Sequence, residues 1–326
     1  MEYIVIPHTD LSVSRFCLGS MTFGGQTDKL AACEIIDRAI DAGVNFIDTA
    51  DIYTEGNSET ILGEALPGKR NGLILASKVG GPSWEGPDGK GLGKVHISKS
   101  IDMSLKRLKT DCIDLYYMHF PDRTTALEES IEAMNTLIDE GKIRYWGVSN
   151  YASWEICSIV EKAKQMGLRP PVMTQTVYNV ITRGADDELL PFLREYEMGM
   201  AAYNPLAGGL LTGKHKRNAA AENSRMSDDK GYIKRYWKNV NWDAVEKLDR
   251  VASEHGMDLL ELSIRWILTQ KDVSVSIFGA SKPEQIVQNI EAAEKGALSD
   301  EILAFCDGVW NDITGDWFSY HRLHQS

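Results

Sequence analysis

The sequence of 326 residues predicts one α/β domain, a single (β/α)₈ TIM barrel with an N-terminal β-hairpin and a C-terminal extra helix and tail. From residue 15 onwards, about eight short apolar strands are each followed by a helix of amphipathic spacing, without a linker. A right-handed crossover after every strand closes a parallel sheet on itself. A doubly wound open sheet is the alternative. The absence of a GxGxxG fingerprint at the first turn counts against it.

The elements follow from apolar periodicity and from the residues that end each run. Residues 1–14 alternate around the turn at His8-Thr9-Asp10, which predicts the hairpin. Gly43 ends the first helix, and similar turn residues separate the later elements. The predicted strands cover residues 15–20, 44–47, 72–77, 112–118, 143–148, 172–175, 199–203 and 273–278. The predicted helices cover residues 28–42, 58–66, 98–108, 126–140, 153–166, 188–196, 259–269 and 283–293.

Three segments interrupt the regular alternation of this one domain, which spans 1–326. Residues 80–95 are rich in Gly and Pro and predict either a mobile lid or a plain surface loop. Residues 207–242 form an insertion whose basic residues suit an anionic ligand or simply a solvated surface. Residues 299–326 predict a helix over 299–308 and then a tail. The tail is expected to fold back onto the barrel and to wall a pocket, because it carries aromatic residues, namely Trp310, Trp317, Phe318 and Tyr320.

Composition excludes several classes of function. The chain has 47 acidic and 35 basic residues and a formal net charge of −12, which opposes binding to nucleic acid or to an anionic membrane surface. Its five cysteines are scattered, without the close pairs of a zinc ribbon or a redox dithiol. No apolar stretch approaches the ~20 residues that span a bilayer. We therefore expect a cytoplasmic protein with reduced cysteines and no metal.

Four ionisable side chains follow the ends of successive predicted strands: Asp48, Tyr53, Lys78 and His119. In a barrel these strand ends converge on one pocket. Taken singly, each has an ordinary structural explanation, such as a turn aspartate, a surface lysine or a core histidine. Together they suit proton transfer, because the lysine favours the phenolate and lowers the tyrosine pKa, and the carboxylate keeps the lysine charged. Tyr53 is then a proton donor, and His119 a hydrogen-bond donor to a substrate oxygen.

The constellation lacks an obvious nucleophile and metal-ligand spacing. A proton donor beside a polarised carbonyl needs a source of electrons, and a nicotinamide hydride is the simplest one. Metal-dependent barrel hydrolysis is therefore a weak third hypothesis.

Over nearly its whole length the chain resembles the aldo-keto reductases. The motifs that carry the resemblance are LGSMTFGG (residues 18–25), FIDTADIYTEGNSE (46–59), ASKVG (76–80), SLKRLKTDCIDLYYMHFPD (104–122), GVSNY (147–151) and YNPLAGGLLTGK (203–214). The resemblance implies that Asp48, Tyr53, Lys78 and His119 are the catalytic tetrad. Tyr53 is then the general acid in carbonyl reduction and the base in alcohol oxidation.

The resemblance also implies a site for a nicotinamide dinucleotide. Ser149, Asn150 and Gln175 would bind the carboxamide, Tyr203 would stack on the nicotinamide ring, and residues 206–210 would wrap the pyrophosphate. Backbone donors and one cation at the start of the last barrel helix would hold the adenosine end. The full predicted contact set is Gly19, Ser20, Met21, Ser149, Asn150, Gln175, Tyr203, Asn204, Leu206, Gly208, Leu210, Lys214, Gly279, Ser281, Lys282, Gln285 and Asn289.

The coenzyme expected from these residues is NADP(H) more than NAD(H). Lys282 can meet a 2′-phosphate as a point charge. Two departures weaken the NADP pattern: Gln285 stands where many family members have arginine, and a basic residue two positions before Ser281 is absent.

The predicted function is NAD(P)H-dependent reduction of aldehydes or ketones, or oxidation of the corresponding alcohol or sugar. The alternative is a regulatory or interaction subunit of the same fold that binds coenzyme with little turnover. The expected partner is a small-molecule carbonyl or alcohol substrate. The motifs specify neither which compound this is nor the oligomeric state.

Overall fold

The strands of the protein form a hairpin and a barrel. The computed structural model describes residues 1–222, 224–228 and 230–315, apart from the side chains of residues 225 and 228. Within these residues the strands are β1 (Tyr3–Val5), β2 (Ser12–Ser14), β3 (Phe16–Gly19), β4 (Phe46–Asp48), β5 (Ile74–Val79), β6 (Ile113–Met118), β7 (Ile143–Ser149), β8 (Met173–Val177), β9 (Gly199–Tyr203) and β10 (Val275–Gly279). Strands β3 to β10 close into a parallel barrel in chain order, with β10 beside β3. The predicted barrel and hairpin are confirmed.

Helices follow the barrel strands and cover the outside of the sheet. In the described part of the chain they are α1 (Lys29–Asp41), α2 (Asn57–Ala65), α3 (Lys94–Leu108), α4 (Leu127–Asp139), α5 (Ser153–Gln165), α6 (Leu189–Glu195), α7 (Arg225–Asp228), α8 (Lys230–Tyr236), α9 (Asn239–Glu254), α10 (Leu259–Thr269), α11 (Pro283–Glu294) and α12 (Asp300–Thr314). Side-chain oxygens cap several of them, as the Asp28 carboxylate does when it accepts the Ala31 N–H at the start of α1. None of these helices is long and apolar enough to cross a membrane.

The core has two layers, because barrel strands are buried on both faces. Side chains such as Phe46, Leu115 and Met173 fill the barrel interior. Three residues of the hairpin, Ile6, Leu11 and Val13, belong to the same apolar cluster. The larger layer lies between the barrel and its helices. With the interior filled in this way, polar side chains gather at the carboxyl ends of the strands.

Several predicted boundaries were wrong. Lys78 lies inside β5, not beyond its end, because β5 continues to Val79. Helix α3 begins at Lys94, earlier than expected, and its first turns bury the polar His96. The predicted insertion limit at residue 242 falls inside α9, whose first residues are weak helix formers. Helix α9 is stabilised instead by burial of Trp242, Val245 and Leu248, which tertiary packing supplies.

The C-terminal helix is longer than expected. Helix α12 continues through Gly308 to Thr314, because Ile302, Cys306 and Val309 on one side of it are buried. Trp310 therefore belongs to this helix and not to the tail. The expectation that Trp317, Phe318 and Tyr320 fold back onto the barrel concerns positions outside the described residues.

The loop between β5 and α3 is folded by its own hydrogen bonds. Ser83 N donates to Gly89 O at 2.8 Å, and Gly91 N donates to Gly80 O at 3.0 Å. The Asp122 carboxylate on a neighbouring loop accepts Leu92 N at 2.8 Å. Residues 80–93 therefore form an ordered loop that is held by its own hydrogen bonds and by Asp122 of the neighbouring loop.

Candidate active site

A cavity of about 840 Å³ lies at the carboxyl ends of the barrel strands and runs to the start of α11. Almost all the residues that the sequence singled out line it. They are Gly19, Ser20, Met21, Asp48, Tyr53, His119, Ser149, Asn150, Gln175, Tyr203, Asn204, Leu206, Gly208, Lys214, Gly279, Ser281, Lys282, Gln285 and Asn289. Lys78 is fully buried behind this wall, and Leu210 lies in the apolar core.

Lys78 is the centre of a buried hydrogen-bond chain. Its Nζ donates to Asp48 Oδ1 at 2.5 Å, to the Thr49 carbonyl at 2.6 Å and to the Tyr53 hydroxyl oxygen at 3.1 Å. The other oxygen of Asp48 accepts from Gln175 Nε2 at 2.8 Å. All three donors of the ammonium are used, and both carboxylate oxygens are occupied. The structure thus holds the phenol oxygen at one fixed position.

The charges in this chain follow from burial and from distance. Burial alone lowers the pKa of Lys78, but the Asp48 carboxylate and the Tyr53 oxygen together raise it above its usual value. Burial raises the pKa of Tyr53, and the opposing effect of the Lys78 ammonium is smaller. The expectation that the lysine leaves Tyr53 with a lowered pKa was therefore wrong in its net direction. Tyr53 is a neutral phenol at neutral pH, which is the form that donates a proton.

His119 is a neutral imidazole beside the phenol. Burial, reinforced by the Lys78 charge, lowers the His119 pKa to about 2. The His119 ring stacks on Phe120 with 4.0 Å between centroids, and the Tyr53 ring lies edge-on at 6.0 Å. Its Nδ1 is buried and has no hydrogen-bond partner among the described residues. The ring can therefore offer a neutral N–H to a substrate oxygen without adding a positive charge.

Asn150 joins the ends of three strands. Its Oδ1 accepts from the Tyr203 hydroxyl at 2.7 Å, and its Nδ2 donates to His119 O and to Ser149 Oγ, both at 3.0 Å. The backbone of Asn150 is left-handed, with φ of 66°. Asparagine tolerates this conformation better than most residues. The amide thereby fixes the Tyr203 ring beside the tetrad.

The far end of the cavity is the start of α11. The backbone N–H and the hydroxyl of Ser281 both donate to Gln285 Oε1, at 2.9 and 3.2 Å. Lys282 occupies the N-cap position, and Pro283 follows it in the first turn. A helix N-terminus with a lysine beside it favours an anion such as a phosphate. Gln285 acts here by positioning Ser281.

These features fit a nicotinamide dinucleotide. The long cavity has Tyr53, His119 and the Tyr203 ring at one end, and a cationic helix start at the other. Between them lies the turn of residues 207–212, in which Gly208 and Gly209 adopt positive φ. Such a glycine turn brings backbone groups close to a ligand. The donor set therefore suits an elongated, doubly anionic molecule with a flat polar ring.

Comparison with known proteins agrees with this geometry. The model of the Aldo/keto reductase family matches residues 15–311. The chain belongs to this family of oxidoreductases. Members of the family generally use NAD(P)H and act on small molecules.

Curated relatives of this aldo/keto reductase have varied names. The chain is 37% identical over 331 residues to "Uncharacterized oxidoreductase YrpG" of Bacillus subtilis (strain 168), covering 97% of this chain and 98% of the relative. It is 33% identical to "Aflatoxin B1 aldehyde reductase member 2" of Rattus norvegicus, covering 94% and 87%. It is 36% identical to "Probable voltage-gated potassium channel subunit beta" of Oryza sativa subsp. japonica, covering 90% and 92%.

Sequence reasoning missed several cavity residues of this aldo/keto reductase. Ile52 and Phe120 line the substrate end beside Tyr53 and His119, and that adjacency was an available signal. Tyr232 and Arg235 reach the cavity from α8, inside the insertion. Nothing in the sequence of the insertion indicated which of its side chains would face the cavity, because that depends on how α8 docks on the barrel.

The first testable prediction concerns Asn150. Asn150→Ala should lower the free energy of unfolding by about 1–3 kcal/mol, because three hydrogen bonds are lost. Asn150→Gly should be about 1 kcal/mol more stable than the alanine variant, because glycine adopts positive φ without strain. Urea denaturation of the two variants and the wild type measures both terms. Equal stability of the alanine and glycine variants would contradict the strain argument.

Proposed function

We propose that this protein is a cytoplasmic, NADP(H)-preferring carbonyl reductase that acts on aldehydes or ketones, or oxidises the corresponding alcohol or sugar. The observation that carries the proposal is the buried chain from Asp48 through Lys78 to the Tyr53 hydroxyl, with a neutral His119 beside it. This arrangement is a positioned acid without a nucleophile. The proposed reaction uses no metal ion, so activity should persist in a chelator.

The chain's own residues supply the proton and orient the substrate. The bound coenzyme supplies the hydride. The Tyr53 hydroxyl donates its proton to the carbonyl oxygen, so the product is an alcohol and the tyrosine becomes a phenolate. The Lys78 ammonium, already 3.1 Å from that oxygen, stabilises the developing negative charge. The neutral His119 N–H orients the carbonyl. In alcohol oxidation the same residues act in reverse, with the Tyr53 phenolate as base.

Residues along the cavity would hold the coenzyme. Ser149, Asn150 and Gln175 would meet the carboxamide, and Tyr203 would lie on the nicotinamide ring. The turn of residues 207–212 and Lys214 would contact the pyrophosphate. Residues 279–282 and Asn289 would contact the adenosine half, where Lys282 at the N-cap of α11 favours a 2′-phosphate.

The coenzyme preference gives a second prediction. Lys282→Ala should raise the dissociation constant of NADPH about tenfold, because one charge-assisted contact to the 2′-phosphate is lost. The dissociation constant of NADH should change little. Tryptophan fluorescence titrations with each coenzyme measure both, and Lys271→Ala, a change at an exposed lysine outside the cavity, is the control. Equal weakening of NADPH and NADH would contradict the assignment of Lys282 to the 2′-phosphate.

A second candidate function is a coenzyme-binding regulatory subunit with little turnover. The similarity to a relative named as a potassium channel β subunit favours it. The two functions are separated by titrating the wild-type protein with NADPH and then assaying it against a panel of aldehydes and ketones. Tight binding with turnover supports the reductase. Tight binding without turnover of any carbonyl supports the regulatory subunit, and binding of neither NADPH nor NADH defeats both.

A further inference from the structure

Asp51 is a buried carboxyl that the proton-transfer chain does not use. It lies two residues before Tyr53 in the turn after β4, with 5% of its surface exposed. Its backbone N–H donates to the carbonyl of Lys78 at 3.3 Å, which ties the turn to β5. The next residue, Ile52, lines the cavity. A shift of the Asp51 side chain therefore moves the backbone that carries Ile52, which lines the cavity, and Tyr53, the proposed proton donor.

Asp51 and the neighbouring Glu59 are two carboxyl groups beside one guanidinium group, that of Arg107. Glu59 is fully buried, and its oxygens accept from Ser77 Oγ at 2.5 Å and from Arg107 Nε at 2.7 Å. Arg107 is thus committed to Glu59. Asp51 Oδ2 accepts from Ser83 Oγ at 3.3 Å, whereas Asp51 Oδ1 is buried without a hydrogen-bond partner among the described residues. A carboxylate in this position would keep one buried oxygen, Oδ1, without a donor, which disfavours the anion.

The groups that face Asp51 shift its pKa in opposite directions, and the net shift is upward. Burial, and then the Glu59 charge, raise the Asp51 pKa to about 7, although Arg107 and Ser83 oppose the change. The Tyr116 hydroxyl on β6 is also buried, and its own pKa is raised by burial and by these carboxyls. The carboxyl therefore exchanges its proton near neutral pH.

Asp51 contacts the ordered loop of residues 80–93 at the point where this loop meets the cavity wall. Ser83 supplies the hydrogen bond, and Gly81 lies so close to Ile52 that an added Cβ would overlap the Ile52 side chain. The loop and Ile52 are therefore in direct contact beside the proton donor. Loss of the Asp51 proton strengthens the hydrogen bond from Ser83, but it leaves a buried negative charge on Oδ1 without a donor, and movement of the loop would let water reach that oxygen.

We infer that Asp51 is a positioning residue for the substrate end of the cavity: its neutral carboxyl holds the loop of residues 80–93 against Ile52, and its ionisation releases the loop. The inference rests on the proposed function where it concerns substrate. Asp51 itself does not touch the reacting atoms. Its effect should appear in KM more than in kcat, because the chain from Asp48 to Tyr53 is separate from it.

The first test uses thermal stability and needs no turnover. The folded pKa of Asp51 lies above the ordinary value of 3.8, so the folded state binds more protons and stability is lost as pH rises from 3.8 to about 7. Asp51→Asn cannot ionise, so its Tm should exceed that of the wild type by about 2 °C or more at pH 8 but not at pH 5. Asp114→Asn is the matched control, because Asp114 is equally buried but paired with Arg70 and Arg144. That variant should be less stable than the wild type at pH 8.

The second test uses the KM for 4-nitrobenzaldehyde, which has no group that titrates between pH 6 and 8. In the wild type, KM should rise about three- to tenfold across this range. In Asp51→Asn it should be constant, and in Asp114→Asn it should keep the wild-type dependence. Ser83→Ala, which removes the hydrogen bond between Asp51 and the loop, should raise KM at pH 6 towards the wild-type value at pH 8.

The outcomes separate the two proposals. An Asp51→Asn variant that is less stable than the wild type at pH 8, or that keeps the wild-type pH dependence of KM, overturns the role of Asp51. Absence of 4-nitrobenzaldehyde turnover by the wild type at every pH counts against the proposed function instead, and the Tm comparison then decides alone whether Asp51 holds a proton. A fall in kcat of a hundredfold or more in Asp51→Asn would make it part of the proton-transfer chain and would also overturn the inference.

Discussion

Replacing Tyr53 by phenylalanine should lower kcat for carbonyl reduction by about 10²–10⁴-fold, which is the usual contribution of a positioned general acid. The substitution removes the hydroxyl that accepts from Lys78 and keeps the ring. The dissociation constant of NADPH should therefore stay close to that of the wild type. Steady-state kinetics combined with fluorescence titration measure both quantities on one preparation.

Tyr196→Phe is the matched control for this substitution. It removes a hydroxyl that is hydrogen-bonded to Cys157 outside the cavity, so kcat should remain at the wild-type value. If Tyr53→Phe keeps wild-type turnover, the assignment of Tyr53 as the general acid is wrong. If it loses turnover and coenzyme binding together, the tyrosine is needed to build the pocket, and its chemical role is unsupported.

Replacing Lys78 by methionine should reduce both activity and stability. Methionine fills much of the same volume but leaves the Asp48 carboxylate buried without its cation. Breaking a buried ion pair in this way costs about 3–5 kcal/mol of unfolding free energy. Turnover should fall together with stability, because the positive charge 3.1 Å from the Tyr53 oxygen is lost. Urea denaturation and steady-state kinetics give the two values.

The double variant Lys78→Met/Asp48→Asn separates the two effects. Neutralising Asp48 removes the uncompensated charge, so the double variant should recover much of the lost stability. Its turnover should remain low, because no ammonium faces the phenol. Recovery of activity together with stability would show that Lys78 acts by supporting the fold alone.

Much of the site was predictable from local sequence. The alternation of strands and helices indicated the barrel, and a barrel brings strand ends to one face whatever the details of packing. Asp48, Tyr53 and His119 could be placed there for that reason, whereas the glycine turn near residue 208 was placed there only by the family resemblance. Element boundaries were less predictable. Helix α9 begins among weak helix formers, and Gly308 lies inside a helix, because burial of one side outweighs local preference.

By itself the sequence determined the fold class and the family resemblance, and it singled out the four residues that we propose as the tetrad, since these depend on periodicity and on residue type. The tertiary structure decided the pKa shifts of Tyr53, Lys78 and His119. The sequence correctly indicated that Lys78 favours the phenolate, but the net rise in the Tyr53 pKa depends on how deeply the phenol is buried.

The tertiary structure also decided the raised pKa of Asp51, which shares one guanidinium from α3 with the buried Glu59. The tertiary structure also decided that Tyr232 and Arg235 reach the cavity, because this depends on how α8 docks on the barrel. Electrostatic and desolvation energies depend on distances between residues far apart in the chain, and those distances exist only once the barrel has closed.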